Sequence, residues 1–238
     1  MRVLVGTSGY SYAPWKGSFY PEKLPAAKML PYYAERLPTV EINNTFYRMP
    51  SADLLQRWAA ETPAGFSFAL KSPKRITHDR RLADVDDAVR RFYEIAAVLG
   101  PKCGPVLFQL PPNMRKDLPR LEAFLALLRA VAPDGKPAFE FRHTSWFADD
   151  VYAALRTHRA ALCIAEAEDL ATPFEATAPW GYLRLRRQDY DDAALAGWAE
   201  RLRAQSSAWS DAYVFFKHED EGKGPKLAAQ MVALCGQM

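Results

Sequence analysis

Cysteine is scarce in this chain, with only Cys103, Cys163 and Cys235 among 238 residues. Their number is odd and no Cys-x-x-Cys spacing occurs, so the sequence excludes a disulfide framework and a thiolate zinc site. Three well-separated cysteines are typical of reduced, buried thiols. We therefore expect a cytoplasmic protein.

Long apolar runs and a dominant charge of one sign are also missing. No stretch of about 18 apolar residues occurs, which excludes a transmembrane helix. The apolar residues 3–5 end at Gly6, too soon for a signal peptide. The 31 Lys and Arg residues against 28 Asp and Glu leave a formal charge of only +3. This balance indicates no membrane partner and is only a weak signal for nucleic acid.

Motifs for metals and common cofactors are absent as well. The four histidines, His78, His143, His158 and His218, form neither HExxH nor an equivalent pair. Residues 6–9, in the first strand and turn, lack the GxGxxG dinucleotide fingerprint. No GxSxG segment marks a serine nucleophile. We therefore expect no metal and no cofactor.

What the sequence does contain is a series of eight short runs rich in Val, Ile, Leu and Phe, most of them followed by a segment of helical period. The predicted strands are residues 3–6, 40–46, 66–71, 105–110, 138–142, 161–165, 182–186 and 212–217. The predicted helices include residues 54–60, 85–99, 118–131, 151–156 and 227–234, with Asp84, Asp117 and Asp149 as N-caps.

Strand followed by helix, repeated about eight times, predicts an α/β fold with a parallel sheet. A (β/α)8 TIM-type barrel takes roughly 200–250 residues in its minimal form, which matches the 238 residues here. An open doubly wound sheet is the alternative, and the missing dinucleotide fingerprint counts against it. No linker tract, charge block or internal repeat divides the chain, so we expect a single domain over residues 1–238.

Polar residues at the carboxyl ends of the predicted strands are the candidates for function, because ligands meet TIM-type barrels there. Alternation places Glu140 and Arg142 on one face of their strand. We assign acid–base or orienting roles to Glu41 and Glu140, and His143 is the histidine to test as an acid–base group. The predicted ligand-binding residues are Gly9, Tyr10, Asn43, Phe46, Tyr47, Lys71, Gln109, Arg142, Trp146, Arg184 and Lys217.

Two interpretations of this polar set stay open. In the first, Glu41 and Glu140 pair with Arg142 and Arg184 in a structural network that plugs the barrel, since an unpaired buried charge is costly. In the second, the same arginines and nearby lysines converge on an anionic ligand. Six strands that all end in charged or amide groups favour the ligand pocket. The aromatic residues of the adjoining loops would stack on a planar ligand or pack as a hydrophobic lid.

Several segments, in the same order along the chain, resemble the YecE-like family, known as domain of unknown function 72. The matching segments are residues 6–10, 15–21, 40–47, 77–78, 108–112, 140–143, 145–146, 182–185 and 213–216, together with Phe68 and Lys71. The resemblance implies a TIM-type barrel similar to the xylose-isomerase-like group, and it supplies no activity. The sequence departs from the family pattern at Ala165-Glu166, Arg186-Arg187 and Lys217-His218.

The function that these observations favour is the binding or transformation of a small anionic or polyhydroxylated ligand at the barrel mouth, without a metal. A metal-independent acid–base enzyme (hydrolase, lyase or isomerase) and a binding protein both fit this description. The alternative is a nucleic-acid-binding barrel, in which basic residues and loop aromatics contact phosphates and bases.

Overall fold

Eight parallel strands form a closed barrel in the computed structural model, which describes residues 1–167 and 170–236. The strands are β1 (Arg2–Ser8), β2 (Thr39–Ile42), β3 (Ser67–Lys71), β4 (Cys103–Gln109), β5 (Pro137–Glu140), β6 (Ala161–Glu166), β7 (Trp180–Leu185) and β8 (Asp211–Phe216). Each strand pairs with the next in sequence, and β8 pairs with β1 to close the sheet. The predicted (β/α)8 barrel is confirmed.

Helices surround the barrel on the outside. They are α1 (Met29–Ala34), α2 (Asn44–Tyr47), α3 (Ala52–Ala60), α4 (Asp86–Ala96), α5 (Leu118–Val131), α6 (Asp149–Thr157), α7 (Asp192–Ala204) and α8 (Lys223–Cys235). Shorter helical turns lie at Ala13–Trp15, Ala26–Lys28, Arg75–Asp79, Ala97–Lys102 and Thr144–Trp146. No helix within residues 1–167 and 170–236 is long and apolar enough to span a bilayer.

The barrel interior is filled unevenly around its circumference. Large side chains from β7 and β8, including Trp180, Tyr182 and Phe215, meet small ones such as Ala69 and Ala138 from the opposite side. Large and small residues that face each other fill the barrel at the close packing typical of protein cores. The interior is therefore a packed core, and space for a ligand is left to the ends of the barrel.

The larger core lies between the strands and the helices. Helix α5 shows how it forms: four residues at helical period face the sheet and are buried. Phe124 of α5 packs edge-on against Phe108, with ring centroids 5.2 Å apart, and Phe108 stacks on Phe139. Burial of such aromatic side chains contributes a few kcal/mol each and fixes the helices against the barrel.

Some predicted boundaries are wrong. The strand predicted for residues 40–46 ends at Ile42, and residues 44–47 form α2 instead. The hydroxyl of Thr45 donates to the carbonyl of Lys71 at 2.6 Å, which ties this helical turn to the end of β3. A long-range contact of this kind leaves no local signal in the sequence.

Two of the three predicted N-caps are also wrong. Asp117 does accept a hydrogen bond from the Arg120 amide at 3.2 Å. Asp149 is the first residue of α6 and not its cap. Asp84 has a positive φ of 53° and lies before α4, whose cap position is taken by Val85.

Candidate functional site

The polar residues of the site follow from the inward face of the strands. Leu107, Ala138 and Tyr182 belong to the cluster that fills the barrel, and residues two positions further along share that face because side chains alternate. Those residues are Gln109, Glu140 and Arg184. With Glu41 of β2 they form a buried polar layer, each at most 6% exposed. This layer closes the apolar interior at the carboxyl ends of the strands.

Arg184 joins the two buried carboxylates. Its Nη2 donates to Oε1 of Glu41 at 2.9 Å, and its Nη1 donates to Oε2 of Glu140. The three side chains are at most 3% exposed. A buried charge without a partner costs several kcal/mol, so each carboxylate depends on the guanidinium between them.

Hydrogen bonds from neutral groups complete the surroundings of Glu41. Ser8 Oγ donates to its Oε1 at 2.7 Å, and Tyr182 Oη donates to its Oε2 at 2.6 Å. Asn43 Nδ2 adds a longer hydrogen bond of 3.2 Å to Oε1. Both carboxylate oxygens are thus occupied within the protein, and the side chain is held in one orientation.

The other carboxylate, Glu140, is connected to Lys71 by hydrogen bonds through the side-chain amide of Gln109. Gln109 Nε2 donates to Oε1 of Glu140 at 2.8 Å, and Lys71 Nζ donates to Oε1 of Gln109 at 2.8 Å. Arg186 Nη1 makes a further contact of 3.4 Å to the same Glu140 oxygen. Because both ends of the amide are engaged, Gln109 fixes the position of the Lys71 ammonium relative to Glu140.

The electrostatic balance keeps both carboxylates ionised. Burial by itself raises the pKa of Glu140, but the charges of Arg184 and Arg186 outweigh it and lower the pKa to about 2. In Glu41 burial is likewise outweighed, chiefly by Arg184, and its pKa is lowered. Carboxylates of this kind stay charged near neutral pH and serve to orient cations.

Lys71 differs from an ordinary surface lysine in its proton affinity. Burial and the charge of Arg184 lower its pKa to about 8, against opposing contributions from Glu41 and Glu140. Its Nζ lies 4.2 Å from the centre of the Phe46 ring, within range of a cation–π interaction. The ammonium and amine forms of Lys71 are therefore both populated near neutral pH.

Further cations surround the polar layer on its outer side. The pKa of Arg186 is lowered first by burial and then by the charge of Arg184, with Arg142 contributing in the same direction. The pKa of Lys217 is lowered by burial and by Arg186. Glu219 approaches Lys217 at 4.0 Å. Positive charge thus exceeds negative charge at this end of the barrel.

Two guanidinium groups of this region each have an N–H without a partner in the described structure. The Nε–H groups of Arg184 and Arg186 are buried and form no hydrogen bond within residues 1–167 and 170–236. A buried donor left without an acceptor costs about 1–3 kcal/mol. The charged layer is therefore only partly satisfied by the protein itself.

Several residues predicted for the site lie outside this convergent group. His143 Nδ1 accepts a hydrogen bond from the Ser145 amide at 3.1 Å and caps a short helical turn. Trp146 is fully buried, stacks on Phe141 with ring centroids 4.7 Å apart, and donates to the carbonyl of Met114. The indole thus packs in the core. In addition, β5 ends at Glu140, so the alternation that paired Arg142 with Glu140 stops before Arg142.

The remaining predicted residues shape the entrance from β1 and β2. Gly9 has a φ of 95°, and a Cβ there would lie 2.4 Å from the Tyr12 hydroxyl, so the position requires glycine. Gly9 and Tyr10 line a small cavity of about 100 Å³ together with Asn43. Tyr47 is 80% exposed and stands apart from the buried layer.

Sequence analysis missed four residues that contact the charged layer or lie beside it. They are Ser8, His78, Tyr182 and Arg186. Ser8 and Tyr182 carry the alternation signal of inward-facing strand positions and could have been found by extending it through β1 and β7, whereas Arg186 lies beyond the end of β7. His78 packs edge-on against Phe46 with ring centroids 4.8 Å apart, and its only signal in the sequence is the family resemblance at residues 77–78.

Metal ligation finds no ready set of side chains. Within residues 1–167 and 170–236, no three or more His, Cys, Asp or Glu side chains are grouped so as to hold a metal ion. The polar layer is instead an ion-pair and hydrogen-bond network, with the cations Lys71, Arg186 and Lys217 on its outer side.

Fold and site together define a parallel (β/α)8 barrel with a buried carboxylate–arginine network at the carboxyl ends of its strands. The profile of the family described as "Protein of unknown function DUF72" matches residues 4–238. The chain belongs to this family, as the sequence resemblance predicts.

Its relatives agree with this assignment. The chain is 32% identical over 158 residues to UPF0759 protein YunF of Bacillus subtilis, an alignment that covers 63% of this chain and 54% of YunF. It is 34% identical over 117 residues to UPF0759 protein YecE of Escherichia coli, covering 49% of this chain and 42% of YecE. The chain thus spans about half the length of the curated relatives it matches.

Solved structures of the family share the fold. The crystal structure of a DUF72 family protein (TM1631) from Thermotoga maritima superposes with a TM-score of 0.87 at 27% identity, covering 99% of this chain and 100% of that one. A DUF72 family protein (EF0366) from Enterococcus faecalis gives a TM-score of 0.78 at 20% identity, covering 99% of this chain and 98% of that one. The second likeness shows the fold alone.

Proposed function

We propose that this protein binds a small anionic ligand above the buried network, at the carboxyl ends of the strands. The observation that carries the proposal is the excess of cations there. Two carboxylates, Glu41 and Glu140, are already engaged by Arg184. Lys71, Arg186 and further basic residues add positive charge that these carboxylates do not balance. An anion is the chemical complement of such a site.

In this proposal the two carboxylates are orienting groups and not acids or bases. Their low pKa values and their full sets of hydrogen bonds keep them ionised and fixed. Glu41 and Glu140 hold Arg184, and Gln109 holds Lys71. Preorganised cations of this kind bind an anion without first having to reorganise, which is the usual source of strong electrostatic stabilisation in a site.

If the bound ligand is also transformed, Lys71 is the group suited to proton transfer. A pKa of about 8 lets the side chain act as acid or base near neutral pH. Its amide partner Gln109 and the ring of Phe46 fix its position. A metal-independent acid–base reaction on a carboxylate- or phosphate-bearing substrate fits this arrangement. At the barrel mouth, no described contact favours nucleic acid over a small anion.

Calorimetric titration with inorganic phosphate, citrate and gluconate, and with glucose as an uncharged polyol, tests the proposal. We expect saturable binding of at least one anion, and Arg186→Gln and Lys71→Gln should each weaken it about tenfold or more, the effect of removing a charged hydrogen bond. Arg203→Gln, at an exposed arginine near the end of α7, which leads into the start of β8 at the opposite end of the barrel, is the control and should bind like the unaltered protein.

Two results would overturn the proposal. One is the absence of saturable binding for all the anions at low salt. The other is anion binding that Arg186→Gln and Lys71→Gln leave unchanged, because the bound anion would then lie elsewhere. Binding of glucose with no binding of anions would assign the site to a neutral polyol.

A further inference from the structure

A second basic feature lies beside the barrel mouth, in a groove of about 980 Å³ between α2, α3 and α4. Four arginines line it, each from a different segment: Arg48 follows α2, Arg57 lies on α3, Arg75 begins the turn after β3, and Arg91 lies on α4. No acidic residue lines the groove. Positive charge from four separate segments is thus gathered around one concave surface.

These four guanidinium groups are not neutralised by the described protein. None of them forms an ion pair within 4.0 Å or a side-chain hydrogen bond among residues 1–167 and 170–236, and this includes the nearby acids Asp53 and Asp87, one helical turn before Arg57 and Arg91. Exposed arginines elsewhere do pair, as Arg156 does with Glu175 at 3.0 Å. The groove therefore carries four guanidinium charges that no described carboxylate pairs directly.

The floor of the groove is apolar. Met49, Leu54, Trp58 and Ile95 line it between the arginines and are only partly buried. The Trp58 ring is held in place by stacking on Phe68, with ring centroids 5.8 Å apart and planes inclined by 18°. An inorganic ion would use only the arginines, whereas a molecule with an organic part and several negative groups would cover both surfaces.

The groove is separate from the barrel mouth. Lys71, Arg184 and Arg186 do not line it. Asn44 and Trp58 line both the groove and the small cavity beside Gly9. Thr45 lines the groove and donates to the carbonyl of Lys71. Among the described residues, however, none of the four arginines forms a side-chain hydrogen bond or an ion pair with the charged layer. Loss of one site should therefore leave the other intact.

We propose that this arginine groove is a second binding site, which takes an organic molecule carrying at least two phosphate groups. Guanidinium groups bind phosphate oxygens in pairs with charge-assisted hydrogen bonds, so four arginines match two or three phosphates. The apolar floor matches the organic part. The volume is at the upper end of the range for small-molecule sites, roughly 300–1,000 Å³.

Calorimetric titration in magnesium-free, low-salt buffer tests the proposal with three probes: adenosine triphosphate, inorganic tripolyphosphate and adenosine. We expect saturable binding of adenosine triphosphate, at least threefold weaker binding of tripolyphosphate and none of adenosine. The double variant Arg57→Gln/Arg91→Gln should weaken adenosine triphosphate at least tenfold. Arg90→Gln is the matched control, since Arg90 neighbours Arg91 on α4 but lines a different cavity. All the substituted side chains are exposed, so melting temperatures should stay within a few degrees.

Several outcomes would overturn the proposal. If adenosine triphosphate did not bind saturably, or bound the double variant as tightly as the unaltered protein, the groove would not be its binding site. Equal affinity for tripolyphosphate and adenosine triphosphate would show that the organic part of the molecule does not contribute to binding, which would contradict the proposed ligand class. A single-stranded oligonucleotide that displaces adenosine triphosphate and binds more tightly would assign the groove to nucleic acid instead. Binding lost in Arg186→Gln but kept in the double variant would place the ligand at the barrel mouth, where it would count toward the function proposed above.

Discussion

Arg184 balances two buried carboxylates at once, so we expect its removal to cost more stability than the removal of a surface ion pair. Glu41 and Glu140 accept from opposite nitrogens of one guanidinium. If that group is removed, both carboxylates are left buried without a counter-ion. The cost of breaking a buried ion pair is about 3–5 kcal/mol, whereas an exposed pair contributes about 0–1 kcal/mol.

We predict that Arg184→Met lowers the free energy of unfolding by about 3–5 kcal/mol in urea denaturation at pH 7. Arg156→Met, which removes the exposed pair with Glu175, is the control and should cost less than about 1 kcal/mol. A loss below about 1 kcal/mol for Arg184→Met would show that the network does not depend on the guanidinium.

Lys71 gives a second prediction at the scale of the single residue. In the folded protein its pKa is about 8, against an ordinary value of 10.5. Carbon-13 NMR of labelled lysine ε-carbons should show one signal with a midpoint near pH 8, and this signal should be missing in Lys71→Arg. Titration of every lysine above pH 10 would contradict the proposed proton-transfer role.

The lowered pKa of Lys71 also makes the free energy of unfolding depend on pH, and the sign of this dependence follows from proton linkage. Between about pH 8 and 10.5 the unfolded chain holds a proton on Lys71 that the folded protein has released. Stability therefore rises with pH in this window. Relative to Lys71→Met, the unaltered protein should gain stability from pH 8 to pH 10.5.

At the scale of the element, the sequence predicts strands better than their ends. Alternation along β4, β5 and β7 correctly gives the inward positions of Gln109, Glu140 and Arg184. It does not extend to Arg142, because β5 ends at Glu140 and alternation holds only while the strand continues. The positions of Arg186, beyond the end of β7, and of His78 depend on contacts between segments distant in sequence, which local patterns do not record.

For the helices, too, local sequence patterns predict only part of the structure. Helix α5 has a clear period and a true cap, and it lies over the predicted residues 118–131. Helices α1 and α7 were not predicted. Pro31 lies within α1 and Gly197 within α7, and both residue types disfavour a helix interior. Packing against the barrel outweighs these local preferences.

Asp117 caps α5 and Asp149 does not cap α6, and the resulting difference in stability can be measured. Asp117→Ala should lower the free energy of unfolding by about 1 kcal/mol, because it removes the hydrogen bond to the Arg120 amide. Asp149→Ala should cost only a few tenths of a kcal/mol through the helix dipole, since Asp149 is not the cap of α6. Equal losses in chemical denaturation would contradict the cap assignment.

At the scale of the whole molecule, a formal charge of only +3 conceals an uneven distribution. Cations exceed carboxylates at the barrel mouth, and the groove beside it is lined by four arginines that form no ion pair with any residue the structure describes. Net charge therefore gives little information about partners in this protein, because the balance is local. Fold class and the strand-end positions could be predicted from the sequence, whereas the identity of the ligand depends on side chains that only the folded structure brings together.

Global stability should fall in acid over a defined range. The folded-state pKa of Glu140 is about 2, below its ordinary value of 4.5, so its contribution is complete above pH 4.5 and is lost as the pH falls toward 2. The change amounts to about 3 kcal/mol. Denaturation measured from pH 6 to pH 2 should show this loss, and Glu140→Gln should flatten the curve, whereas the exposed Glu122→Gln should not.

Anomalous diffraction from crystals soaked in selenate tests most directly whether the barrel mouth holds an anion. We predict a selenium peak within hydrogen-bonding range of Lys71 Nζ and the Arg186 guanidinium, and no such peak in Arg186→Gln crystals treated in the same way. Selenate bound at other surface sites, with no peak at the mouth of the unaltered protein, would contradict the claim.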